Sequence, residues 1–119
     1  HPLAAKERLT PEDLHGENFL LIRRGWNRYL DQMRDELWRD HPQIHIVDFE
    51  MFNINVFNQC ENSEDILMTI DNWQQVHPLL KTIPVDWGYT IPYGLLHAPK
   101  PSPTVRRFLD AVQTVWPRE

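Results

Sequence analysis

HPQIHIVDFEMFNINVFNQCENSEDILMTIDNW, residues 41–73, contains two β-rich apolar runs, 44–49 and 66–70, with a helical stretch at about 53–62 between them. Asn, Asp or Ser bounds each piece, so the segment reads as a strand–helix–strand unit leading into a further helix. A crossover of this kind joins parallel strands and is right-handed in nearly all cases. Open α/β sheets gather ligands at the carboxyl ends of their strands, where loops lead into helix N-termini. Asn53 and Asn55 follow the first strand there, and Asp71 and Asn72 follow the second. This edge is the expected working edge of the protein.

Upstream of that unit, Phe19-Leu20-Leu21-Ile22 is an unbroken apolar run, the pattern of a strand buried on both faces. Arg23-Arg24-Gly25 ends it, and a helix is predicted over about 27–40. Trp26, Leu30, Met33 and Leu37 would form its apolar stripe, with Arg28, Asp31, Asp35 and Arg39 on a solvated face. Pro42 stops that helix, because the residue before proline avoids the α region. Leu9-Thr10-Pro11-Glu12-Asp13-Leu14 reads as a short helix capped by Thr10 and stopped at Gly16.

Beyond residue 73 the sequence predicts a short helix over 73–80, capped by Asp71 or Asn72 and limited by Pro78. Two strands, 82–87 and 90–97, each carry a proline and so belong at an edge or a crossing position. The run 98–103 is a stiff proline-rich linker. The last helix is the clearest, with Ser102 as cap, Pro103 in the first turn, Val105, Phe108, Leu109, Val112 and Trp116 as its stripe, and Pro117 closing it.

Composition bounds what such a chain does. It has 119 residues, 41% apolar and 24% charged, enough for one domain or one lobe of a larger one. A net charge of −5 argues against nucleic-acid backbone binding, which needs clustered Lys and Arg. Cys60 is the single cysteine, which excludes an internal disulfide and any CxxC redox or zinc site, and it reads as a buried, inert thiol. No apolar run approaches the ~20 residues that span a bilayer, and no signal-peptide pattern opens the chain. Beginning His1-Pro2 without an initiating Met, the chain reads as a piece of something longer.

The element order, taken with short motifs at both ends, resembles the effector-binding domain of LysR-type transcriptional regulators. The resemblance is carried by His1-Pro2-Leu3-Ala4, by Leu9-Thr10-Pro11-Glu12-Asp13-Leu14-His15-Gly16 before an apolar strand, by Tyr93-Gly94-Leu95-Leu96-His97, and by Ser102-Pro103-Thr104-Val105-Arg106-Arg107-Phe108-Leu109. It implies an α/β fold, the three-layer αβα lobe of a type-2 periplasmic-binding-protein-like domain with a C-terminal helix. Residues 1–119 would be a partial effector-binding domain, the second lobe at about 5–87 and a returning strand and final helix at about 88–116. It further implies a cytoplasmic regulator, a small-molecule effector bound between two lobes, homo-oligomers, and an N-terminal winged helix-turn-helix that reads the DNA. One departure is a turn, Cys60-Glu61-Asn62-Ser63-Glu64-Asp65, that lacks the glycine usual in the family.

Among individual residues, Arg24, Gly25 and Trp26 are the leading binding candidates, beside Arg23 and Asn27. A strand end, a glycine, a helix N-terminus and a guanidinium fork suit a carboxylate or phosphate; the alternative is arginines paired with Asp and Glu. Asn53, Asn55 and Asp71 are further candidates, with helix capping as the competing role. Met51 and Phe52 are either an apolar cleft wall or core. The six His show no ligand spacing, so no metal site is expected, and no cofactor motif or catalytic constellation appears. Three readings stay open: a sensing lobe in which Arg24 holds an anionic group while Asn53 and Asp71 orient the rest, an enzyme or transport lobe, and an interaction domain using the last helix. By the same resemblance, residues 27–40 and 44–49 are candidates for a dimer interface. The stripe of the last helix is expected to pack on this lobe's own sheet or on a second chain.

Overall fold

The computed structural model describes residues 1–116. Asn18–Ile22 (β1) runs through its centre, and four consecutive side chains of this strand, Phe19 to Ile22, are buried. His45–Phe49 (β2) lies parallel to it in register Asn18↔His45 to Ile22↔Phe49. Ile66–Leu67 (β3) lies parallel on the other side, Phe19 opposite Ile66 and Leu20 opposite Leu67. The sheet order is β2-β1-β3, so the middle strand is the first in sequence.

Helices cover both faces. Arg28–Asp40 (α1) begins where the Asn27 side chain accepts from the Tyr29 and Leu30 N–H groups, at 2.8 and 3.4 Å. Its buried residues Leu30, Met33 and Leu37 pack with Phe19 and Leu21 on one face of β1. Ile54–Glu61 (α2), capped in the same way by Asn53, sets Val56 and Phe57 against Leu20 on the opposite face. Alternate side chains of one strand thus feed two separate cores, which gives the three layers that the family resemblance implied. Gly16 and Gly25 take φ values of +82° and +100°. They turn the chain into and out of β1, where a side chain would strain the backbone.

Several expected elements are shorter than their sequence patterns suggested. Residues 9–14 yield only a 3-10 turn, Pro11–Leu14. The strand over 66–70 pairs for two residues, with one further bond from the Met68 N–H to the Leu20 carbonyl at 3.0 Å. The helix over 73–80 does not form. A 3-10 turn, Asp71–Trp73, is followed by isolated turns such as Val76 N–H to Trp73 O at 3.2 Å. Pro78 withholds a donor and keeps His77 out of the α region. Asp71 is the first residue of that turn and caps nothing with its side chain.

Nor do the strands over 82–87 and 90–97 form. Their place is taken by an extended ribbon tied to the N-terminal segment by a bridge at Leu9 and Val85, with Leu9 N–H to Pro84 O at 2.9 Å and Asp86 N–H to Leu9 O at 2.7 Å. Pro84 cannot donate, and Pro92 interrupts the second run, so no ladder propagates. Ile83, Val85, Trp87, Tyr89 and Ile91 nevertheless all point one way, against the α1-side core. Trp26 lies outside the buried stripe of α1, at 54% exposure.

Pro103–Val115 (α3) forms as expected, with the Val105 N–H donating to Ser102 Oγ at 3.2 Å. None of its residues is buried; Val105 and Phe108 are 38% and 60% exposed. The expected packing of this stripe on the lobe's own sheet is therefore not seen. Pro117, expected to close the helix, falls outside the described residues. With α3 standing off the sheet, the Cα radius of gyration is 17.3 Å, against about 13–14 Å for a compact chain of this length.

Candidate functional site

Because all three strands are parallel, their carboxyl ends open on one edge. Arg23, Arg24 and Gly25 leave β1 there, Glu50 to Asn53 leave β2, and Met68 to Asp71 leave β3. The central strand sends its chain to α1 on one face and β2 sends its chain to α2 on the other, which makes the gap between the β1 and β2 ends a topological switch point.

Carboxylates of the chain itself already occupy this edge. Arg24 forms a two-pronged pair with Asp35 of α1. The Gly25 N–H donates to both carboxylate oxygens of Asp31 at 3.2 Å. Arg23 pairs with Glu50 at 2.9 Å. The paired-arginine alternative is thus what the structure contains. Asp31 and Asp35 are its counter-ions and not merely a solvated face of α1. The Asp35 carboxyl lies below the usual carboxylate range, chiefly through the hydrogen bonds from Arg24. These pairs stand in water, with Arg24 and Asp35 side chains 56% and 61% exposed, so they hold weakly.

Arg34, unremarked in the sequence reading, is the better-buried guanidinium. It donates to Asp48 at 2.6 Å and to the Ile22 carbonyl at 2.6 Å, pinning α1 to the ends of β1 and β2. With Arg24, Asp35, Trp38, Val47 and Asp48 it lines a surface depression of about 630 Å³.

The remaining candidates divide between capping and display. Asn53 Oδ1 accepts from the Asn55 and Val56 N–H groups at 2.9 and 3.3 Å, so it caps α2, and Asn55 supplies a backbone donor to it. Trp26, Asn55 and Asp71 are exposed. Among the described residues, that Asn55–Asn53 bond alone joins any two of Arg24, Gly25, Trp26, Asn53, Asn55 and Asp71. Phe52 is core and Met51 is exposed. The Phe52 ring meets Phe49 and Trp73 edge-on, each at 4.8 Å between centroids, which ties the loops carrying Asn53 and Asp71 to each other.

A longer groove of about 930 Å³ follows the outer edge of β3. Met33 and Tyr89 lie on one flank, Phe57 and Cys60 on the other, and Thr69 and Asp71 at the strand end. The Thr69 hydroxyl is buried and without a hydrogen-bond partner. Burial pushes the Cys60 thiol up, and its S–H donates to the Asp65 carbonyl at 3.2 Å, in keeping with an inert role. Among the described residues no cluster of three or more His, Cys, Asp or Glu could hold a metal ion, and no helix is long and apolar enough to cross a membrane.

Comparison with known proteins gives one family. The family model described as LysR substrate binding domain matches residues 1–117. No curated protein and no solved structure matches.

Proposed function

The chain belongs to the LysR substrate-binding domain family, whose members have a periplasmic-binding-protein-like fold and serve regulation and not catalysis, and from that premise we propose which metabolite chemistry it senses and how. The effector is a small molecule with an anionic group, bound at the carboxyl edge of the sheet. Its carboxylate or phosphate takes the place of Asp35 on Arg24, and Asn53 and Asp71 orient the rest. The observation that supports this is the exposed Arg24–Asp35 pair beside the Gly25 N–H, where the chain's own carboxylates stand in for an anion. Exchanging one weak, solvated ion pair for another costs little, so the effector's remaining contacts set the affinity.

Residues of about 5–87 form the second lobe of a two-lobed cleft, and those of about 88–116 return toward the first lobe. Binding favours one arrangement of the lobes, and a cytoplasmic homo-oligomer passes that bias to an N-terminal DNA-binding domain. The free edge of β2 with Trp38 at 70% and Val47 at 38% exposure supports a self-association face there. A second reading, an interaction domain without its own ligand, is favoured by the exposed Val105 and Phe108 of α3.

A thermal-shift screen against metabolite acids, sugars and amines separates the two readings. It uses this chain and a version extended to include the first lobe. At 100 times its dissociation constant an effector adds about 2.7 kcal/mol of stability. A shift abolished by Arg24→Gln supports anion sensing at this edge. Silence from both proteins sinks it in favour of the interaction domain.

A further inference from the structure

At the opposite, N-terminal edge of the sheet lies a contact that effector binding does not use. His15 follows the turn Pro11–Leu14, and His41 ends α1. The His15 Nε2 and His41 Nδ1 atoms are 2.9 Å apart in a half-buried setting, the rings tilted at 50° with centroids 5.2 Å apart. Around them the backbone joins the same two segments, with Gly16 N–H to Gln43 O at 2.9 Å and His45 N–H to Glu17 O at 3.0 Å. Leu14 and Leu37, each 1% exposed, sit in the core beneath.

An imidazole–imidazole hydrogen bond needs an N–H on one ring and a lone pair on the other. It therefore survives with both rings neutral or with one protonated. With both protonated, two N–H groups and two like charges face each other, and no bond is left. Histidine is the side chain whose charge ordinarily changes between pH 5 and 8.

We propose that the His15–His41 pair is a pH-sensitive clamp holding the Pro11–Leu14 turn against the end of α1, closed at neutral pH and opened in mild acid. The closed clamp carries at most one added proton, and so one positive charge, across the two rings, whereas the opened one carries two, so falling pH favours opening. From the turn, Glu12 faces both rings, and from α1 Asp40 faces His41. Arg39 holds the Asp40 carboxylate at 2.7 Å, which tempers its pull on the second proton. His1, 3.0 Å from Glu17 on the same edge, works in the other direction, because its protonation strengthens that contact.

The test uses the chain as it stands, with amide exchange measured from pH 7.5 to 5.0 and corrected for the intrinsic pH dependence of exchange. The Gly16 amide should lose roughly tenfold in protection, the scale of one lost hydrogen bond, while the Met33 and Leu37 amides of α1 keep theirs. His15→Gln, which cannot take up a second charge, should remove the pH dependence, and His1→Gln should leave it in place. Ring-nitrogen NMR of the unaltered chain should show a hydrogen-bond coupling between the two imidazoles at pH 7.5 that is gone at pH 5.0, so the proposal stays testable even if His15→Gln fails to fold. A coupling between the rings that persists at pH 5.0, with constant Gly16 protection, overturns it. So does a uniform loss of protection across α1, which would be ordinary acid unfolding.

Discussion

Asn53 shows how one side chain serves structure and remains a ligand candidate. Its Oδ1 is engaged by the Asn55 and Val56 N–H groups, while the residue itself stays exposed at the edge where an effector is proposed to sit. Asn53→Ala should cost about 1 kcal/mol, the usual loss for an N-cap, whereas Asn53→Asp should melt within a few tenths of the parent. Denaturant melts of the two variants check this, and effector binding then reads the second role, because Asp keeps the cap but adds a negative charge. Equal destabilisation by both substitutions would show that the cap is not what Asn53 supplies. Caps such as Asn53 and Ser102 were legible in the sequence because they act within three residues of themselves. The partners of Arg24 and the role of Arg34 were not, since they depend on how α1 is laid across the strand ends.

Two helices of equal length make the corresponding point for elements. Both α1 and α3 run for thirteen residues and carry an apolar stripe, yet α1 buries Leu30, Met33 and Leu37 while α3 buries nothing. Periodicity reveals which face is apolar and leaves open what covers it. Leu37→Ala should therefore cost about 2–5 kcal/mol, and Phe108→Glu should change the stability of this chain by less than about 0.5 kcal/mol, both read from urea melts. The ribbon over 82–91 teaches a related lesson. Its apolar residues alternate as in a strand, and that alternation correctly marks the buried side, but prolines deny it a ladder. Tyr89 anchors the ribbon beside α1, and its phenol is pushed up to about 12, first by burial and then by the Glu36 carboxylate. The unfolded phenol, ordinary at 10.0, ionises first, so the stability Tyr89 contributes is intact below pH 10 and fades between 10 and 12. Absorbance titration of the phenolates should find Tyr89 ionising last, with Tyr89→Phe removing that late step.

At the scale of the whole molecule, a three-stranded parallel sheet with both faces covered stands beside a helix none of whose residues is buried. That asymmetry produces the 17.3 Å radius of gyration and the solvent-facing Phe108, Val105 and Leu96. Apolar surface of this kind is seldom left uncovered in a working protein, so the chain's architecture asks for a further body against α3. In the proposed two-lobed regulator, that body is the first lobe. There the amides of α3 should rise in exchange protection to the level of α1, and Phe108→Glu should cost at least about 2 kcal/mol, because it would bury an unpaired charge. In the 119-residue chain neither effect should be present. A two-lobed protein in which Phe108→Glu stays silent and α3 still exchanges freely would assign the helix to another partner. Sensing at the strand ends would then have to act without α3, through the rest of the ribbon and the free edge of β2.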